Sequence, residues 1–361
     1  MAPAATIRVA IVGASSIAGK ELNDTLAESP LATAHLTLLD EEGVAGRIAA
    51  SGDDISVVQK VDADSFDGMD FVFFAGNPVE TLRYWKAAQQ AGAGIVDLTG
   101  ALEDEAGVVV RAPWVQAVEG PHEDSAKLDL TTNALVSAHP AAMMLVAAAE
   151  RLRAKLDARS IAATIMEPAS AHGQAAMDEL HQQTVSLLSF QNLPREQFGA
   201  QTAFNLLPAP GEEARISLEE SRVRIAQEYG TLAGGRAPEL ALLVVQAPVF
   251  HATVISTLVE LASPATVAQV ETALRGGIID VPGAGSDAPS NVSAAGQSQI
   301  LMLVSAAAPA QRVKGVANAG PQAPSTRFWL WMAADNLKLA ALNAIACVGE
   351  LSRMRPRGTV Q

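Results

Sequence analysis

Short apolar runs alternate with helical periods over the first third of the chain. Residues 7–12 (IRVAIV) form a run that stops at Gly13, and a 3.6-residue pattern follows over 17–29. LTLLD at 36–40, MDFVFFAG at 69–76 and GIVDL at 94–98 read as further strands, with a helix over 79–91 before the last. Strands alternating with amphipathic helices predict a parallel sheet covered on both faces, an α/β, doubly wound, Rossmann-like domain. The polar stretch AVEGPHEDSAK at 117–127 reads as a loop, and a helix is expected over 141–156.

Beyond residue 156 the pattern changes. Strands are expected at 160–168, 239–250, 253–262 and 299–307, and helices at 175–190 and 218–229. Long strands with few helices between them predict a second, α+β domain with a mixed, largely antiparallel sheet. Residues 281–297 (VPGAGSDAPSNVSAAGQ) read as a loop, and FWLWMAADNLKLAALNAIACVGEL at 328–351 begins as a strand and ends as a helix.

A length of 361 residues suits two domains. No apolar run approaches the roughly 20 residues that span a bilayer, and Arg8 interrupts the early apolar stretch where a signal peptide would be uncharged. The expectation is a cytoplasmic protein with no membrane partner. The single cysteine, Cys347, excludes an intrachain disulfide and a Cys-based metal cluster. A formal net charge of −14 argues against nucleic-acid binding, which needs basic patches.

IVGASSIAG joins the first strand to the first helix. Gly13 and Gly19 hold the outer positions of a G-x-x-G-x-x-G turn, and Ser16 stands at the middle one. Such turns let backbone N–H groups approach a pyrophosphate at a helix N-terminus. Ser15, Ser16 and Ile17 are the candidate phosphate contacts, although the same turn also occurs for packing alone. After the second strand come Asp40, Glu41 and Glu42. A carboxylate at Asp40 accepts a ribose hydroxyl and repels a 2′-phosphate, which favours NAD over NADP; the alternative is a solvated acidic turn.

With these words in order, the chain resembles the aspartate-semialdehyde dehydrogenase family over nearly its whole length. The resemblance rests on VAIVGASSIAGKEL, DSFDGMDFVFFAG, AAMDELHQQTVSLL, AFNLLP, VVQAPVF and ADNLKLAALNA. VVQAPVF and EPASAHGQAAMDEL resemble its Usg-type branch, a set of homologues that have lost the family cysteine. The resemblance implies an NAD(P)-binding Rossmann-like domain over 1–139, completed by a C-terminal helix at 335–355, and a dimerisation domain over 140–330. It further implies a homodimer or homotetramer, with Gly76 and Asn336 near the cofactor.

The family reaction needs a thiolate to attack the acyl carbon, a histidine to move protons and two arginines to hold substrate anions. The family's N-P-N-C-[ST] motif falls on His139, Pro140, Ala141, Ala142 and Met143, so Ala142 stands at the nucleophile position. Thr253 stands at the histidine, Gln246 and Glu103 at the two arginines, and Glu167 at a glutamine that orients the intermediate. Glu219 and Arg222 match the family's acid–base pair, with Arg for Lys, and equally fit a plain surface ion pair. Cys347 lies in an apolar helical stretch, where a buried, inert thiol is expected.

New histidines stand in the same segments. His139, His172 and His251, with Glu167, read either as a metal or acid–base site or as polar filler in a vacated cleft. His251 is two residues before Thr253, so on a strand the two would share a face. His35, His122 and His181 read as ordinary histidines. The leading expectation is a non-catalytic dimeric paralogue that keeps a nucleotide or metabolite cleft and acts through a protein partner. The rivals are an NAD-dependent or metal-assisted enzyme of different chemistry, and ordinary semialdehyde dehydrogenase activity in amino-acid biosynthesis.

Overall fold

A computed structural model describes residues 6–41, 43, 48–51, 54–116, 128, 131–283, 285–307 and 323–354. The polar stretch 117–127, with His122, and Glu42 lie outside the described residues. The chain divides into two compact units, residues 1–139 with 337–361, and residues 140–336.

The first unit begins with β1 (Arg8–Val12), α1 (Ile17–Ala27), β2 (His35–Asp40), β3 (Ile48–Ser51), β4 (Asp54–Val57) and β5 (Gln59–Lys60). It continues through β6 (Phe71–Phe74), α2 (Pro78–Gln90), β7 (Gly94–Asp97), β8 (Val109–Arg111), α3 (Pro113–Gln116) and β9 (Ala134–Ser137). The second unit holds α4 (Pro140–Leu156), β10 (Ala158–Glu167), α5 (Gln174–Leu188), α6 (Leu218–Ala233), β11 (Glu239–Gln246) and β12 (Thr253–Ala265). After these come α7 (Val267–Leu274), β13 (Ile279–Asp280), α8 (Asn291–Ala294), β14 (Ile300–Ala306) and β15 (Ser325–Ala334). The last helix, α9 (Asn336–Met354), returns the chain to the first unit.

In the first unit seven parallel strands run in the order β5-β2-β1-β6-β7-β9-β8. Both faces are buried, which is why its strands read as continuous apolar runs. Val9, Ile11, Phe71 and Phe73 face Leu22 and Leu26 of α1 and Ala344, Cys347 and Leu351 of α9. Ala10, Val12, Val72 and Phe74 face Trp85 and Ala88 of α2. Two polar clamps hold α9 in place. The Arg111 guanidinium donates to both oxygens of Glu350 at 2.8 and 2.7 Å. Asn343 donates to Arg111 O and Ser137 Oγ, and its Oδ1 accepts from Trp114 N–H.

The second unit has six strands in the order β11-β10-β12-β15-β14-β13, antiparallel except for β10–β11 and β13–β14. One face packs on α4, whose residues 141–152 are all buried. The other face leaves Leu243, Leu303 and Trp329 about half exposed, at 50%, 45% and 45%. Among the described residues no helix is long and apolar enough to cross a membrane.

Most expected elements are present, with ends shifted by a few residues. The expected strand over 239–250 stops at Gln246, because Pro248 cannot donate to a ladder. Strands β3, β4, β8 and β9 were not expected, and at three or four residues they are too short to show a period. Helix α7 was hidden behind the apolar run of β12, although Thr266 and Gln269 form a capping box at its start.

The Arg111–Glu350 pair is nearly buried, at 11% and 14% side-chain exposure. Glu350→Leu strands the guanidinium without its anion and should lower stability by about 3 kcal/mol. A urea midpoint unchanged from the parent would refute the clamp.

Candidate functional site

The chain passes from β1 to β2 on one side of the first sheet, then crosses to β6 on the other. Open parallel sheets bind ligands at such a reversal, outside the carboxyl ends of the strands. Here those ends carry Gly13 after β1, Asp40 closing β2 and Gly76 after β6. Gly13 has φ +78°, and a β-carbon on it would stand 2.2 Å from the Gly76 α-carbon. A β-carbon on Gly19 would stand 2.2 Å from Gly13 O. Contacts within the unit therefore demand these glycines, whatever else approaches them.

Ser16 caps α1. Its Oγ accepts from Gly19 N–H at 2.8 Å and donates to Ala75 O at 2.7 Å, so its one hydrogen is already placed. Asp40 is buried and accepts from Ser15 N–H at 2.8 Å and from Glu41 N–H at 2.9 Å. The N–H groups of Ile17 and Ala18, in the first turn of α1, meet no acceptor among the described residues. Two orphan donors at a helix N-terminus suit a phosphate. The free lone pairs of Asp40 suit a ribose hydroxyl, so the residues fit a dinucleotide.

Glu80 escaped the sequence reading. It lies in the first turn of α2, where Asn77 caps its N–H at 2.9 Å and an acid is ordinary. In the structure it is 2% exposed, and its Oε1 has no hydrogen-bond partner among the described residues. Its Oε2 stands 2.5 Å from the place of a β-carbon on Gly76, and the Gly13 α-carbon is 3.0 Å from that same place. Burial raises its carboxyl to about 7, helped by the charges of Asp40 and Glu41 and opposed by Arg83. Only its burial distinguishes it from a routine capping acid, and no pattern in the sequence reports that.

In the second unit, the ends of β10 and β11 and the start of β12 meet at one edge of the sheet. Glu167 pairs with Gln246 in the parallel register, and Thr253 pairs with Ala334 at the end of β15. Residues 169–172 form a 3-10 turn fastened to the β11–β12 connection by Ala169 N–H to Val249 O and Ser170 N–H to Phe250 O. His172 Nε2 lies 3.2 Å from Glu167 Oε2, and its ring meets Phe198 edge-on. Gln246 Nε2 donates to Glu167 O and Ala247 O, while its Oε1 has no partner among the described residues. Asn336 Oδ1 accepts from Ser170 Oγ and Ala252 N–H, each at 3.2 Å.

Of His139, Glu167, His172 and His251, read either as a new site or as polar filler, the structure brings Glu167 and His172 to within 3.2 Å of one another. Among the described residues no three His, Cys, Asp or Glu side chains are grouped so as to hold a metal ion. His251 does not sit on a strand with Thr253. Strand β12 starts at Thr253, and Ala252 has φ +67°, which breaks the alternation that would have aligned them. His139 belongs to the first unit, and Glu103 lies there too, in the turns after β7. Ala142 and Thr253 are buried. Glu219 and Arg222 form an exposed ion pair on α6. Cys347 is fully buried between α9 and the first sheet, and burial pushes its thiol well above the ordinary thiol range. His35 and His181 are exposed.

Comparison with known proteins agrees with this architecture. The sequence model of the semialdehyde dehydrogenase NAD-binding domain matches residues 8–119, and that of the dimerisation domain matches 150–337. USG-1 protein homologs from Pseudomonas aeruginosa and Azotobacter vinelandii are each 30% identical, over 96% of this chain and 97% of theirs. The solved structure of "a probable aspartate-semialdehyde dehydrogenase from Pseudomonas aeruginosa" superposes with a TM-score of 0.79 at 28% identity, covering 96% of this chain and 98% of its own. The chain belongs to the semialdehyde dehydrogenase family.

Proposed function

We propose that this chain is a dimeric semialdehyde dehydrogenase homologue that does not perform the family reaction and keeps a nucleotide cleft, with NAD favoured over NADP. One observation carries the reading. The only thiol, Cys347, is sealed in the core of the first unit, while the position of the family nucleophile holds the methyl group of Ala142. A methyl group cannot form a thioester. Where it has been measured, in a protease, removing the nucleophile alone costs about 10⁶ in turnover. Gln246 and Glu103 in place of arginines remove two charge-assisted contacts to substrate anions, roughly 2 kcal/mol each. NAD, when bound, would supply a hydride acceptor; Ile17 and Ala18 would hold its phosphates and Asp40 a ribose. Such a protein acts through what it binds, a nucleotide or a partner protein.

A second reading has its own support. The Glu167 and His172 side chains, 3.2 Å apart and largely buried, are a candidate acid–base pair for different chemistry. A screen of NADH formation over varied aldehydes, with His172→Asn as control, decides between the two. Turnover lost in the variant would favour the second reading.

Two outcomes are expected. With aspartate semialdehyde, phosphate and NAD or NADP, the purified protein gives no turnover above a level about 10⁶ below a working enzyme; phosphate-dependent turnover near that of an active relative would end the proposal. Sedimentation gives a dimer, and Trp329→Glu together with Leu303→Glu shifts it to monomer, because charges on the open sheet face oppose its burial. A dimer that survives both changes would place the interface elsewhere.

A further inference from the structure

Glu80 is a buried carboxyl whose Oε1 has no hydrogen-bond partner among the described residues, at the mouth of a turn suited to anions. An unpaired buried carboxylate is among the most unfavourable groups a protein can hold, and α2 needs no such group, since Asn77 already caps it. The charged groups that act on Glu80 are Asp40 and Glu41 from the end of β2 and Arg83 one turn further along α2. The glycine turns at Gly13 and Gly76, which pack against it, bring no titratable side chain. A dinucleotide pyrophosphate at the free N–H groups of Ile17 and Ala18 adds negative charge to this surrounding.

Resting on the nucleotide-binding reading above, we propose that the first unit binds its dinucleotide together with one proton, and that Glu80 carries that proton. The proton comes from solvent and no covalent bond to the ligand forms. Neutral Glu80 has a hydrogen to donate through the oxygen that has no partner, whereas charged Glu80 adds a third carboxylate to Asp40 and Glu41 and repels the ligand. Glu80 is in this sense a specificity-determining residue: it ties affinity for an anionic ligand to pH.

The sign follows from linkage. The free carboxyl titrates near 7, and a bound anion holds it neutral to higher pH. Binding therefore takes up little proton at pH 6 and close to one at pH 8, and affinity is about tenfold weaker at pH 8 than at pH 6. The test is calorimetric titration of the full chain with NAD at both pH values, in two buffers of different ionisation enthalpy. A buffer-dependent heat at pH 8 that disappears in Glu80→Gln, whose affinity stays flat across the range, is the expected result. NAD binding by the parent with no proton uptake would overturn the inference and leave the nucleotide reading standing. No binding at any pH would overturn both. Urea unfolding without ligand supplies a check independent of binding. Glu80→Gln should be more stable than the parent at pH 8 and closer to it at pH 5, because the penalty grows as pH rises from 4.5 to about 7. Equal midpoints at both pH values would show that Glu80 is not the proton carrier.

Discussion

The turns after β1 and β6 touch through bare α-carbons, and that contact sets the spacing of the carboxyl ends in the first unit. With 2.2 Å between a notional β-carbon on Gly13 and the Gly76 α-carbon, no other residue fits at Gly13. The positive φ of Gly13 then aims α1 so that Ser16 reaches Ala75 O and two N–H groups stay free at its start. The same contact brings the first turn of α2 close enough for the Glu80 carboxyl to lie over Gly76. Asp40 joins the group by accepting Ser15 N–H, which fastens the end of β2 to the turn. A ligand cleft and a purely structural joint use the same glycines here. What separates the two is the polar atoms left over: the N–H groups of Ile17 and Ala18, and one oxygen of Glu80.

Much of this was legible in the sequence. The plan of a parallel sheet covered on both faces follows from apolar runs closed by helices; Gly13 and Asp40 were named from their places after strands, and Gly76 from the family resemblance. The legible part is periodic or glycine-marked. What escaped lacked both signals. Strand β9 is four residues, all buried, so no alternation exists to be seen. Glu80 sits where any helix tolerates an acid, and its burial depends on how β6 and β1 pack far away in sequence. Ser16 looked like a phosphate donor because its bond to Ala75 O, 59 residues away, cannot be read locally. His251 was misjudged because the strand expected from Thr253 was carried back two residues to reach it, whereas β12 starts at Thr253 and Ala252 lies in the left-handed region.

The edge of the second unit shows what holds a family framework together around its strand ends. Irregular segments leave backbone donors and acceptors that must be met by something. Asn336 meets Ala252, and Gln246 fastens the junction of β10 and β11. Gln183 donates to Pro194 O and Ala200 O and accepts from Thr202 and Ala203, while Glu179 accepts from Gln197 and Phe198. These side chains hold loops, and loops need them whether or not a thiol stands nearby. Resemblance in the framework words therefore reports shape, and only the few positions at the strand ends report chemistry.

The first unit is finished by α9, which follows the whole of the second unit in sequence. A ribosome emitting about 5–20 residues per second makes β1 long before α9 exists. The second unit, residues 140–336, is complete when it emerges, yet the first waits for Cys347 and Leu351 to close over Val9, Ile11 and Phe73. For some seconds the nascent protein shows one greasy face of a seven-stranded sheet to water. A chain cut within α9 would lack the residues that cover that face, so the integrity of the whole first unit rests on a segment made after the second unit.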